Sequence, residues 1–228
     1  MAEAAIDTEM TQQVCTQCMA PQSVQTHFCS ACGSIQPVAS GTDFFSFLGL
    51  PRKLRLDETE LEKSFYALSR LFHPDYFMGA TEAEQRASTE RSSMLNVAYR
   101  TLRNGVARVQ YLLSIEGRKE AEKKAPPDLL EEVFELNMQI EELKTARRLA
   151  DENEIAGARS SLEDALAGLR AKLATIDEQL VALSDDWDSA FDRGAMPNER
   201  ESLLDRMSEV LAHRSYIRNL VRDIEEVL

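Results

Sequence analysis

No stretch of this 228-residue sequence approaches the eighteen consecutive apolar residues that a membrane span requires. Cysteine is confined to one place: all four lie between Cys15 and Cys32, so none is left elsewhere for a disulfide framework. Residues 1–40 hold three acids and no Lys or Arg. They therefore lack the basic and apolar regions of a secretory signal and the arginines of a transit peptide. The expectation is a cytoplasmic protein, bacterial, or of the mitochondrial matrix where a transit peptide has been removed. Histidine occurs only three times. There is no G-x-S-x-G, no phosphate-cradling G-x-x-x-x-G-K, and no nucleophile with an obvious base, so no enzyme is expected.

What is present is ordinary core material, 43% hydrophobic, under a 29% charged surface with a net charge of −13. The charge is uneven. Residues 41–120 carry twelve bases and eleven acids, whereas residues 121–228 carry fourteen bases and twenty-five acids. Phosphates would be repelled by the second half, which excludes it as a nucleic-acid surface and suits a solvated helical bundle or a basic protein partner.

The cysteines follow C-x2-C-x10-C-x2-C: Cys15, Cys18, Cys29 and Cys32. Each pair brings two thiolates of one turn to a single ion, and two pairs close a tetrahedral structural shell. Zinc is the expected cofactor, one per chain; disulfides or free thiols, and iron in the same shell, are the alternatives. Gly33 suits a turn needing an unusual backbone angle. His27 lies between the pairs but has no vacant coordination position to fill, and reads as a bystander. A filled shell offers no position for catalysis.

The rest reads as helices. Asp43 can cap a short helix ending at Gly49 and Pro51. Asp57 and Glu60 open a second, with Leu61, Phe65, Leu68 and Phe72 on its apolar face. Pro74 stops it, since the residue before proline avoids helical geometry. Thr81 and Glu84 cap a third helix carrying Leu95, Ala98 and Leu102 and ending near Asn104-Gly105; a shorter helix comes next. Beyond Pro126-Pro127, three stretches keep coiled-coil-like spacing: Leu129 to Leu143, Leu162 to Leu183, and Leu203 to Leu228, the last capped by Asn198 and Glu201 and interrupted by Arg214. A turn at 193–198 folds the chain back, which predicts an antiparallel three-helix bundle. The predicted segments are a flexible tail 1–10, a separate cysteine module 11–36, a linker 37–42, a helical hairpin domain 43–118, a linker 119–127 and the bundle 128–228.

At the tip of the hairpin stand His73, Pro74 and Asp75. Alone they read as a helix stop. In context, "DFFSFLGLPRKLRLDETELEKSFYALSRLFHPDYF" and "LNVAYRTLRNGVARVQYLL" resemble the J-domain of the HscB, or Jac-type, iron–sulfur cluster co-chaperones. "LLEEVFELNMQIEEL" and "YIRNLVRDIEEVL" resemble that family's C-terminal bundle, and the cysteine pairs resemble the zinc module of its animal and some bacterial members. The fold class implied is all-α, J-domain hairpin plus three-helix bundle, preceded by the zinc module.

The resemblance implies a mechanism too. His73, Pro74 and Asp75, with Lys63 and Arg70 on the preceding helix, would dock on a DnaK/HscA-type chaperone and accelerate its ATP hydrolysis. The bundle would hold an IscU-type scaffold. Leu130, Phe134 and Met138 form a second apolar stripe at i, i+4 and i+8, readable either as a wide core face or as a binding face. The family matches Leu130, Phe134 and Glu135 to scaffold contacts, and Tyr216 to the same patch. There are departures: Tyr76 stands where relatives often have Lys, Glu131 replaces an apolar residue, and Glu60 and Glu62 balance Lys63 and Arg70. Arg52, Lys53 and Arg55 lie just upstream as an alternative source of attraction. A general J-domain folding co-chaperone is the alternative function, although the Gly/Phe-rich region and β-rich substrate domain of that class are absent. No nucleic-acid or membrane partner is expected.

Overall fold

The computed structural model describes residues 12–23, 25–118 and 129–228. The predicted tail 1–10 and linker 119–127 lie outside the described residues. Among those described, seven α-helices and one two-stranded hairpin form two compact units, one ending at Arg108 and the other beginning at Val109.

The first unit opens with β1 (Gln12–Val14) paired antiparallel to β2 (Pro21–Ser23), Gln13 opposite Gln22. Helix α1 (Phe44–Phe47) starts where the Asp43 carboxylate accepts from the Ser46 N–H at 3.0 Å, and it buries Phe45 and Phe47. Helix α2 (Glu58–Phe72) is capped by Asp57, which accepts from Thr59 and Glu60. It ends as the sequence predicts, with His73 extended (ψ 124°) ahead of Pro74. Helix α3 (Glu82–Arg103) opens with a complete capping box between Thr81 and Glu84. Its buried residues Ala87, Arg91, Leu95, Ala98 and Leu102 recur at helical spacing and face inward. Phe65 of α2 stacks on Tyr99 of α3, ring centroids 4.3 Å apart, which helps fix the antiparallel pair.

The cysteine module and the hairpin fall within one compact body, and the division between the two units falls in the first turns of α4 (Gly105–Ile115). Arg108 still belongs to the first unit, its guanidinium donating to the Leu54 carbonyl at 2.6 Å. Past it, Arg118 pairs with Asp205 at 3.2 Å, within the second unit.

The second unit is the bundle: α5 (Leu130–Leu149), α6 (Glu152–Asp192) and α7 (Pro197–Glu225). Leu136, Ile140, Leu143, Leu162, Leu166, Leu169, Ile176, Ile217, Val221 and Ile224 form its core, as the heptad spacing predicts. Ion pairs Arg193–Glu199, Asp177–Arg214 and Arg170–Glu225 step in opposite directions along α6 and α7, so these two run antiparallel. Arg214, the break in the seam, is thus an inter-helix tie, its Nε donating to Asp177 at 2.5 Å. α7 begins one residue before the expected Asn198 cap. Pro197 occupies the first turn, where its missing N–H costs nothing.

Candidate functional site

Four sulfurs converge at the first candidate site. Met19 and Gly33, each directly after the second cysteine of a pair, have φ of 60° and 75°. That left-handed residue closes each turn, with Met19 N–H on the Cys15 carbonyl (3.1 Å) and Gly33 N–H on the Cys29 carbonyl (2.9 Å). Backbone N–H groups then point at sulfur: Gln17 and Cys18 at Cys15, and Ala31 at Cys29, all at 3.4 Å. The four Sγ atoms lie within 4.8 Å of one another, Cys15–Cys32 at 3.6 Å and Cys18–Cys29 at 3.7 Å. A tetrahedral shell with metal–sulfur bonds of about 2.3 Å has sulfur–sulfur edges of about 3.8 Å. The spacing therefore fits one metal ion.

The thiols oppose one another when no cation is among them. The Ser34 hydroxyl, then the Cys18 backbone, holds the Cys15 thiol down at about 5. Cys18 has a lowering contact with the Ala20 backbone, yet Cys32 and burial push it up to about 12. Four thiolates coexist in this space when a cation balances them. Behind Cys15, the Gln36 amide donates to its Sγ (3.4 Å) and to Ser34 Oγ (2.8 Å), while Gln22 donates to Gln36 Oε1 (2.9 Å). This polar support orients the sulfurs.

The second candidate site is the loop after α2. His73 Nδ1 accepts from the Asp75 N–H at 3.3 Å and opens a 3₁₀ turn over Pro74–Phe77. Both side chains are open to solvent, His73 at 52% and Asp75 at 76%. Helix α3 fixes the loop through its backbone. Ser88 and Ser92 both donate to the Phe72 carbonyl (2.7 and 2.8 Å), and Gln85 donates to the carbonyls of Met78 and Ala80. Around it, Tyr66, Leu71, Tyr76 and Met78 are exposed. Of the cations on and before α2, Lys63 pairs with Glu60 at 2.7 Å, and Arg52 with Asp43 at 2.8 Å. Arg70 is exposed on the last turn of α2.

On α5 the second stripe is open to solvent. Leu130, Phe134 and Met138 are 57%, 66% and 50% exposed, so they are not part of a wide core face. Glu131 and Glu135 are exposed beside them. Tyr216 differs: it is half-buried and packed against the bundle core.

A residue with no role expected from sequence is bound to the cysteine module and its exit. Arg91 of α3 is buried, with Nε on the Gln36 carbonyl (2.5 Å), Nη1 on His27 Nδ1 (2.6 Å), and Nη2 on the carbonyls of Thr26 (3.3 Å) and Pro37 (3.0 Å). Burial, then the Arg91 charge, lowers His27 to about 4, so the ring is neutral and accepts the bond. His27 stands outside the four-sulfur shell and serves as a partner of Arg91. The signal was available, since Arg91 lies four residues from both Ala87 and Leu95 on an otherwise apolar face.

Four cysteines whose sulfurs could hold one metal ion, and a solvent-exposed His73-Pro74-Asp75 loop on a helical hairpin, define the architecture of an all-α protein of the J-domain class. No family model matches the chain. It is 32% identical over 179 residues to the iron-sulfur cluster co-chaperone protein HscB of Mus musculus, an alignment covering 77% of this chain and 68% of the mouse protein. The crystal structure of human co-chaperone protein HscB matches with a TM-score of 0.64 at 24% identity, over 94% of this chain and 98% of the human one. Chaperone HscB from Vibrio cholerae matches with a TM-score of 0.54 at 24% identity, over 82% and 97% of the two chains. The two structures bear on fold alone. The chain belongs to the HscB family of iron–sulfur cluster co-chaperones, which are not enzymes. Among the described residues no helix is long and apolar enough to cross a membrane.

Proposed function

We propose that this co-chaperone couples an IscU-type scaffold to a DnaK/HscA-type ATPase in the cytoplasm or the mitochondrial matrix. The observation that carries it is the exposed stripe on α5. Three large apolar side chains at i, i+4 and i+8 stand in water on a helix whose core face is already complete. Such a patch marks a protein-binding face. Leu130, Phe134 and Met138 seat the scaffold, with Glu135 beside them; Tyr216 supports the patch from the core. His73, Pro74 and Asp75 dock on the chaperone, where Asp75 can bond an arginine. Holding both partners on one chain raises the effective concentration of scaffold at the chaperone.

The test is single-turnover ATP hydrolysis by such a chaperone with scaffold, with this chain, and with both. Stimulation by both together should exceed the product of the separate effects. A chain that stimulates hydrolysis but neither binds scaffold nor shows this synergy is a general folding co-chaperone instead. Lys63 and Arg52 are engaged by acids of their own chain, so steering by salt-screened charge is weak. Stimulation should change less than about tenfold between 50 and 300 mM salt, where a dense basic surface would lose far more.

The cysteine site holds zinc on this reading, as a structural centre without chemistry of its own. Elemental analysis should find about one zinc per chain, and Cys29→Ser should abolish it, since a structural shell needs all four thiolates. Full metal content in Cys29→Ser would remove the assignment.

A further inference from the structure

Arg91 rises from the third helix, yet the acceptors it reaches lie in the cysteine module and its exit: Thr26, His27, Gln36 and Pro37. Four of its five N–H donors are used there. Among the described residues no carboxylate pairs with it, which is unusual for a buried guanidinium. Two aromatic rings lie beside it, the guanidinium carbon 5.8 Å from the Phe47 ring centre and 5.5 Å from that of Phe72. His27 meets the same two rings edge-on, at 5.3 and 5.0 Å.

Two routes lead from this cluster. Gln36 accepts from Arg91 through its carbonyl and donates to Cys15 Sγ through its side chain, so one residue bridges guanidinium and metal ligand. Phe72 is the residue before His73, and its carbonyl anchors the start of the loop on Ser88 and Ser92, on either side of Arg91 in sequence. Charge points the same way. Four thiolates around a divalent cation leave two net negative charges, and the buried cation bridged to them is the natural complement. Without an ordered module Arg91 would lose every one of these acceptors and sit uncompensated beneath Phe72, at a cost the loop would share.

We propose that the cysteine module is a metal-dependent brace for the His73-Pro74-Asp75 loop, with Arg91 as the residue that couples them. Metal binding and loop order are then one linked equilibrium, and the linkage is reciprocal: what orders the loop tightens the metal, and what releases the metal loosens the loop. Its consequence for chaperone stimulation rests on the function proposed above, but the linkage does not.

The experiment uses the full chain loaded with zinc and needs no partner, so it stands or falls separately from the chaperone reading. Amide hydrogen exchange is followed for Phe72–Phe77 and for α7 before and after zinc is stripped with a chelator. Exchange in the loop should rise by about tenfold or more, a typical coupling, while α7 stays unchanged. In a second arm, zinc transfer to a chromogenic chelator is timed for wild type, Arg91→Met and Arg91→Lys. Arg91→Met should release zinc about tenfold faster; Arg91→Lys, which keeps the charge but loses the planar fork, should fall between. If Arg91→Met fails to fold, Arg91→Lys and the wild-type exchange arm still decide. Loop exchange indifferent to zinc, or equal release rates in wild type and Arg91→Lys, overturns the proposal.

Discussion

Stimulation of a partner chaperone's ATP hydrolysis should fall to background when His73→Gln or Asp75→Asn replaces the wild-type protein, with the fold intact. The loop's geometry does not depend on either side chain being buried, since both are open to solvent. It depends on backbone carbonyls held from α3: Phe72 on Ser88 and Ser92, Met78 and Ala80 on Gln85. Those anchors survive both substitutions. Asp75→Asn keeps size and shape and removes one charge; a charge-assisted bond to a partner contributes about 1.5–3 kcal/mol, or about ten- to a hundredfold in affinity. His73→Gln removes the Nδ1 acceptor of the Asp75 N–H, a single exposed bond at 3.3 Å. Surface changes of this kind stay within about 0.5 kcal/mol of wild-type stability. Single-turnover hydrolysis and a thermal melt together decide the matter. Undiminished stimulation by both variants would leave His73-Pro74-Asp75 as a helix stop.

The helices were legible because their chemistry is local. Asp57, Thr81 with Glu84, and Pro74 mark ends by bonds made or lost within four residues. Leu136, Ile140 and Leu143 bury as their spacing demands, because a helix presents one face whatever it meets. The four cysteines were legible for a related reason: each pair lies within one tight turn. Non-local contacts were hidden. Nothing near Arg91 in sequence says that its acceptors are Thr26, His27, Gln36 and Pro37, some sixty residues earlier. Pro37, the first residue of the expected linker 37–42, gives its carbonyl to that buried site. Tyr216 was hidden in the opposite sense, since an aromatic on a bundle helix looks equally suited to patch and core. The second stripe of α5 could not be assigned by periodicity, because a wide core face and a binding face share one pattern.

Exposure separates those two cases, and it sets the expected outcome at the bundle. Leu130→Ala combined with Phe134→Ala should weaken scaffold binding by more than tenfold while moving the melting temperature by only a few degrees. Leu130 and Phe134 are 57% and 66% exposed, so truncation opens no internal cavity and forfeits little burial. In a complex they would lose that exposure, and burying each contributes up to about 1.5–3 kcal/mol. Even with part of that lost to ordering at the interface, the pair exceeds the 1.4 kcal/mol of a tenfold change. Leu143→Ala is the counterpart further along the same helix. Leu143 is fully buried in the core, and its truncation should cost about 2–5 kcal/mol. In a chain of 228 residues that lowers the melting temperature by roughly 2–4 °C per kcal/mol, while the exposed stripe keeps its side chains. Tyr216→Ala should fall with Leu143→Ala rather than with the stripe, because its ring packs on the core. Titration calorimetry with an IscU-type scaffold, beside thermal melts of the same preparations, separates the two effects. If the double variant melts far below wild type yet binds the scaffold unchanged, Leu130 and Phe134 serve stability and the scaffold seats elsewhere on the bundle.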